Sequence, residues 1–170
     1  MTLADFEKQP RGPYLFDWWV AQQRIATPLG LFSVEFQISG DDDTDPPDEE
    51  MLRRANGLVS YTESQGEFIL DIVYGHYRYY LLSAENRDWL EECGVPRDLS
   101  RNKIADYVRE DRSLVVTRNL GWEQPYSSTI HVVLLWDEEH ALSLDFRDGA
   151  IVAANDSRFR LEAGVLRWID

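Results

Sequence analysis

The sequence predicts an α+β fold in a single domain over residues 1–170: a mostly antiparallel β-sheet with a C-terminal meander, and helices packed on one face. Three observations predict it. Residues 31–38 alternate between apolar and polar side chains, helical segments follow, and residues 130–152 read as three consecutive strands. Strands, then helices, then strands is the order typical of an α+β domain.

The first strands are predicted around a tight turn. Phe16, Trp18 and Val20 recur at period two, whereas the first dozen residues are expected to be loose. Residues 27–30, Thr-Pro-Leu-Gly, have turn chemistry. The next strand has a core face and a face expected to be wet. The core face holds Phe32, Val34, Phe36 and Ile38, and the wet face holds Ser33, Glu35 and Gln37.

Two helical segments are predicted in the middle of the chain. Asp45 is expected to cap the first, with Pro46 and Pro47 in its first turn, and a break is expected near residues 64–66. The segment from there to about residue 82 is apolar around most of its circumference, which predicts a central helix. It carries His76 among tyrosines, which fits either a hydrogen-bonded buried histidine or a small-ligand pocket.

The C-terminal half is predicted to be short helices and then strands. Ser83 is expected to cap a short helix that ends before Gly94, and another short helix is expected after Ser100. Strands are predicted at residues 113–118, 128–136, 141–147 and 150–154, with a final hairpin within 156–170.

Composition favours some partners over others. The formal net charge is -14, so the chain is not expected to bind nucleic acid or an anionic membrane surface, which both require basic residues. Cys93 is the lone cysteine, which suits a reducing compartment. The N-terminus shows no apolar signal core, and no apolar run approaches ~18 residues. We therefore expect a cytoplasmic chain.

Half of the net charge lies in one segment, residues 41–50, DDDTDPPDEE. Read as a calcium loop from Asp41, it has Pro46 in place of the sixth-position Gly and Leu52 in place of the twelfth-position Glu, so the motif fails. We expect no metal or other cofactor. The segment is interpreted as partner-binding, through Asp41, Asp42, Asp43 and Asp45, and its charge predicts a basic protein partner.

A second polar cluster follows Trp136 and is predicted to form a reversal between two strands. Asp137, Glu138 and His140 are candidates for an acid/base pair or a metal site, because both require several such groups close together. The alternative interpretation is a solvated or partner-binding loop. On that interpretation Glu138, Glu139 and His140 contact the partner, together with the loop residue Trp122.

The segment WDEEHALSLDF resembles a WDxEHxL-type signature of a bacterial family of small domains of unknown function. The TPLG turn, the acidic lead into helices and the helical segment ILDIVYGHY are also similar, so the resemblance covers roughly residues 27–153. The usual residue after the histidine is Gly, and here it is Ala141. The resemblance implies no activity for this chain.

Taken together, these features predict a non-catalytic cytoplasmic binding protein that engages a protein partner through acidic and aromatic surface. Size and charge are similar to those of small immunity proteins of toxin systems. Two other functions stay open at this point. One is a metal-dependent or acid/base enzyme centred on Asp137–His140, and the other is a small-ligand sensor with a pocket near His76.

Overall fold

The fold is α+β and mostly antiparallel, as predicted. The computed structural model describes residues 1–9, 16–39, 46–119, 123–154, 159–162 and 165–168. Four strands come first: β1 (Phe6–Gln9), β2 (Phe16–Ala21), β3 (Ile25–Thr27) and β4 (Gly30–Ser39). Then follow the helices α1 (Glu49–Tyr80) and α2 (Ala84–Glu92), and a 3₁₀ helix over Arg101–Tyr107. The last strands are β5 (Ser113–Asn119), β6 (Tyr126–Leu134), β7 (Asp137–Arg147), β8 (Ala150–Ala154), β9 (Phe159–Glu162) and β10 (Val165–Trp168).

The main sheet has the strand order β1-β2-β4-β5-β6-β7-β8, and β3 pairs with the beginning of β4. The C-terminal meander β5–β8 is antiparallel throughout, and β9 and β10 form the predicted separate hairpin. One pair, β4 with β5, is parallel. Its strands are parallel because the chain leaves the end of β4, passes through both helices and re-enters at the beginning of β5.

One face of the sheet forms the core. Val34, Leu114, Ile130 and Leu144 are aligned in one row across four strands, and all four are fully buried. Helix α1 covers this face: the ring of Tyr61 lies 5.0 Å from that of Phe146. The predicted core face of β4 is confirmed, since Phe32, Val34, Phe36 and Ile38 are all fully buried.

The N-terminus differs from the prediction. For residues 1–9 the expected looseness is wrong: residues 3–5 form a 3₁₀ turn and β1 pairs with β2 at the sheet edge. Phe6 is buried and stacks on Phe36 with ring centroids 4.2 Å apart, and the terminal ammonium donates to Asn56 Oδ1 at 2.9 Å. One buried aromatic ring and one long-range hydrogen bond therefore fix a segment that has no long apolar pattern.

The cap of α1 also differs. The N-cap is Asp48, not Asp45, and Pro46 and Pro47 precede the helix instead of occupying its first turn. The Asp48 carboxylate accepts a hydrogen bond from the Met51 amide at 2.9 Å, and it also accepts from Arg118 Nη1 and from the Tyr126 hydroxyl. Asp48 is the cap because its carboxylate can accept hydrogen bonds from the first turn of the helix and from two side chains of the sheet at the same time.

Helix α1 is kinked where a break was predicted. Gln65 has non-helical angles (φ -117°, ψ 20°), and the next residue, Gly66, is buried against Pro28. A Cβ added at Gly66 would lie 2.6 Å from Pro28 Cδ, so only glycine lets the helix pass this close to the β3–β4 turn. Among the residues described, no helix combines the length and apolarity that crossing a membrane requires.

Candidate functional site

The polar cluster after Trp136 lies in a strand, which corrects the predicted reversal. The chain turns at Leu135 and Trp136, and Asp137 to His140 are the first residues of β7. The turn thus lies two residues earlier than the polar cluster. Asp137 already pairs with Leu134 on the neighbouring strand, and the Trp136 side chain is buried beneath the turn. Of these four residues, Asp137 is the one whose side chain the structure describes.

Trp136 holds His76 in the interior. The Trp136 indole Nε1 donates to His76 Nδ1 at 3.0 Å, and His76 is 1% exposed. Because Nδ1 accepts this hydrogen bond, the neutral imidazole carries its proton on Nε2. That nitrogen faces the Asp137 carboxylate, with Nε2 and Oδ2 3.9 Å apart. The buried histidine anticipated from the sequence is thus tied to the strand turn.

Asp137 is the outermost group of this network. Its side chain is 11% exposed, and its Oδ2 also accepts a hydrogen bond from the Tyr80 hydroxyl at 3.2 Å. The Tyr80 ring lies 5.2 Å from that of His76. Chemically the arrangement is a carboxylate–imidazole pair, and the aromatic rings of Tyr80 and Trp136 enclose the imidazole. The pair connects the end of α1 to the beginning of β7.

Helix α2 rests on the same turn through Trp89. The Trp89 indole Nε1 donates to the Trp136 carbonyl oxygen at 2.7 Å, yet the side chain remains 49% exposed. Leu82, in the connection between the helices, is 72% exposed. We define the acidic–aromatic surface by these two residues and three exposed acids of α2. The acids are Glu85, Asp88 and Glu92.

The acidic–aromatic surface contains a shallow depression. Trp89 lines it together with the three acids and Asn86, in a volume of about 310 Å³. Arg97 borders the helix and neutralises part of the charge, since it pairs with Asp88 at 2.9 Å and with Glu91 at 2.6 Å. The feature is therefore an exposed aromatic ring in a predominantly acidic surround.

The sheet face opposite the core contains a second titratable group in an unusual setting. Glu35, expected on a wet face, is only 9% exposed. Burial raises the pKa of its carboxyl, and hydrogen bonds from Ser33, Trp18 and Ser113 oppose that shift. The Ser33 hydroxyl lies 2.6 Å from Glu35 Oε1. The expectation of a wet face is wrong at this position because the side chains of Trp18, Ser33 and Ser113 surround the carboxyl.

His131 lies on the same face as Glu35, directly across from Ser113. Burial lowers its pKa, against the opposing attraction of the Asp145 carboxylate. This face therefore holds an imidazole and a carboxyl that burial disfavours in their charged forms, on neighbouring rows, with serine hydroxyls between them. The Ser33 hydroxyl and the Glu35 carboxyl form the polar contact of this face that the structure describes in detail.

Most of the sequence-predicted site residues fall outside what the structure describes. Residues Asp41, Asp42, Asp43, Asp45 and Trp122 lie outside the described residues, as do the side chains of Glu138, Glu139 and His140. Asp137 is described, and the structure brings it together with His76 and Tyr80. Among the described residues, no group of three His, Cys, Asp or Glu side chains is placed to hold a metal ion.

Sequence reasoning missed Trp89 and Leu82. A signal for Trp89 was present: α2 buries Leu90, and a residue directly before a buried position points about 100° away from it on a helix. An aromatic residue at that angle, with acids one turn before and after it, is placed toward solvent. No comparable pattern marked Leu82.

Comparison with known proteins returned no significant match to a protein-family model, to a curated protein or to a solved structure. The resemblance of the WDEEHAL segment to a family signature thus stays a prediction.

Proposed function

We propose that this chain is a non-catalytic cytoplasmic binding protein, similar in kind to an immunity protein, that engages a basic protein partner. The observation that carries the proposal is Trp89. Its indole is anchored by a hydrogen bond to the Trp136 carbonyl oxygen, the residue is 49% exposed, and acids surround it. A rigidly held, exposed tryptophan is the residue type most enriched among the dominant contacts of protein interfaces.

Charge supports a basic partner. The acidic–aromatic surface adds three exposed acids around the anchor, on a chain whose net charge is -14. Opposite potentials accelerate encounter and disfavour acidic competitors. The acidic segment 41–50 would add to the same long-range field, because Coulomb steering acts over about a Debye length of ~10 Å at 0.1 M salt and does not require contact.

The two alternative functions receive less support from the geometry. An enzyme centred on Asp137–His140 needs groups free to exchange protons with a substrate, whereas Asp137 accepts from Tyr80 and faces His76. A sensor with a pocket near His76 needs space beside the imidazole, whereas Trp136 and Tyr80 pack around it. Both side-chain sets serve to fix the turn that supports Trp89.

The proposal is tested by comparing two variants, each of which truncates one exposed apolar residue. The partner is captured on the immobilised chain, purified, and measured by biolayer interferometry against the parent, Trp89→Ala and Leu31→Ala. Leu31 is the matched control because it is apolar and also 49% exposed, on β4. We expect Trp89→Ala to weaken binding ~30-fold or more, as for an anchor residue, and Leu31→Ala to change it less than ~2-fold.

Charge is tested separately by the triple variant Glu85→Gln, Asp88→Asn, Glu92→Gln. Association should slow and lose much of its salt dependence between ~0.05 and ~0.3 M, while dissociation changes little. A partner that binds Trp89→Ala and Leu31→Ala equally well would contradict the proposal, as would an association rate unaffected by both salt and these substitutions.

A further inference from the structure

The N-terminal half of α1 and the turn between β7 and β8 enclose a cleft far from the acidic–aromatic surface. Its volume is about 470 Å³, within the range of small-molecule sites. The helix contributes Arg53, Arg54 and Tyr61 to the lining, and the sheet contributes Ser128, Phe146 and Arg147. Nothing in the proposed protein-binding function uses these residues.

The charge of this cleft is opposite to that of the chain. The protein has a net charge of -14, yet among the described residues three arginines and a single carboxylate, Asp148, line the cleft. Glu50 lies behind the helix side of it and binds both Arg53 and Arg54. These two guanidinium groups hold the pKa of Glu50 down at about 2, so Glu50 remains a carboxylate that orients them.

The arginines keep hydrogen-bonding capacity toward the cleft. Among the described residues Arg54 donates only through Nε, to Glu50 at 2.7 Å, and its guanidinium lies over the Tyr126 ring at 5.4 Å. Arg147 has a loose ion pair, 4.0 Å from Asp145. Two guanidinium groups, one on each wall, therefore offer unused N–H donors, and such groups bind carboxylate and phosphate oxygens by paired hydrogen bonds.

The floor of the cleft is Ser128, which is 4% exposed. It lies on β6 in register with Val116 of the core face. Its hydroxyl is not among the enclosed side-chain polar atoms that lack a hydrogen-bond partner in the described part of the chain, and it lines the cleft. A hydroxyl can donate a hydrogen bond to an oxygen atom of an anion that the arginines hold.

The remaining wall is aromatic. Tyr61 and Phe146 contact each other with ring centroids 5.0 Å apart, and both line the cleft. From these four features we propose that the cleft binds a small organic anion, with a carboxylate or phosphate group placed on Arg54, Arg147 and Ser128 and an apolar or aromatic group placed against Tyr61 and Phe146. The proposal is independent of the partner surface.

The test titrates three probes of matched size into the ¹⁵N-labelled protein: phenyl phosphate, benzoate and neutral benzyl alcohol. Chemical shifts are followed at the amides of Gly57, Ser128 and Gly149, which border the cleft. We expect saturable shifts at these amides for at least one anion, and affinity at least ~10-fold lower for benzyl alcohol, because charge-assisted hydrogen bonds contribute most of the discrimination. Which anion binds more tightly identifies the oxyanion.

Two variants locate the site. Arg147→Gln and Ser128→Ala should each weaken the better anion several-fold, whereas Arg78→Gln should not, since Arg78 is an exposed arginine in the last turn of the same helix. Retained amide dispersion shows that each variant is folded, and either variant alone is sufficient for the test. Equal binding of benzyl alcohol, no saturable shift with either anion, or equal effects of Arg147→Gln and Arg78→Gln would overturn the proposal.

Discussion

At the scale of single residues, Glu35 is the clearest case of a side chain whose environment changes its chemistry. It lies on the sheet face opposite the core, but it is almost fully buried and surrounded by hydroxyl and indole donors. Desolvation disfavours the ionised form more than these hydrogen bonds favour it, which raises its pKa above the ordinary value of 4.5. The folded protein therefore binds this proton more tightly than the unfolded chain does.

This linkage predicts the pH dependence of stability. The contribution of Glu35 is fully favourable below its unfolded pKa and is lost as the pH rises through the raised folded pKa. Glu35→Gln should therefore be at least as stable as the parent at neutral pH and should flatten the fall in unfolding free energy above about pH 4.5. Urea denaturation at a series of pH values measures this.

The control for that prediction is Glu63→Gln, which changes an exposed glutamate on α1 and should keep the parent's pH profile. A Glu35→Gln variant that is less stable than the parent at neutral pH would show that its neighbours stabilise ionised Glu35, which contradicts a raised pKa.

Residue identity alone explains why some positions were predictable and others were not. The Asp-Gly turn was predictable, because Asp148 and Gly149 have φ of 50° and 82° and this dipeptide tolerates such angles. The cap of α1 was not: Asp45 and Asp48 have equal capping preference. The choice of Asp48 depends on Arg118 and Tyr126, which lie about 70 residues away in sequence and whose register no local pattern shows.

At the scale of elements, α1 must satisfy both its own geometry and the strands it covers. Its kink lies where Gly66 packs on the Pro28 ring, so the β3–β4 turn and the helix are fitted to each other at one point. The sequence predicted the break from Ser64-Gln65-Gly66. It could not show that the chain continues as one helix from Glu49 to Tyr80, because that depends on packing on both sides of the break.

Two glycines of α1 should respond oppositely to alanine. At Gly66 the added Cβ would lie 2.6 Å from Pro28 Cδ, in a rigid ring, so Gly66→Ala should cost about 1–3 kcal/mol. At Gly57 the nearest atom is Phe146 Cε1 at 3.9 Å, so Gly57→Ala should gain about 0.5–1 kcal/mol from helix propensity. Denaturant midpoints compare the two. If both variants were stabilised, the close packing on Pro28 would be wrong.

At the scale of the whole molecule, the sheet consists of two parts, one from the chain before the helices and one from the chain after them. Strands β1 to β4 and strands β5 to β8 each pair through neighbours along the chain, and the β4–β5 pair alone joins them. Alternation and turn chemistry predicted β2, β4 and the strands β5 to β8, whereas β1 lies in the segment that was expected to be loose. The parallel junction was not predicted, because its register, Phe36 opposite Val116, depends on where both helices deliver the chain.

That junction has a consequence for the order of folding. Hairpins on either side close over short loops, whereas β4 can meet β5 only after the whole segment from Ser39 to Ser113 has been brought together, and long loop closure is entropically costly. The rate of folding should therefore be set by forming the junction.

Two truncations in buried positions test this order by stopped-flow kinetics. Val116→Ala, at the junction, should slow refolding in proportion to the stability it removes, whereas Ile151→Ala, in the outer strand β8, should act mainly by accelerating unfolding. If both variants divided their effects in the same way, the two halves would not form separately. If the two variants differ as expected, the β4–β5 pair determines how long the apolar faces of both halves stay exposed to other chains during folding. This pair is only a small part of the hydrogen bonding of the sheet.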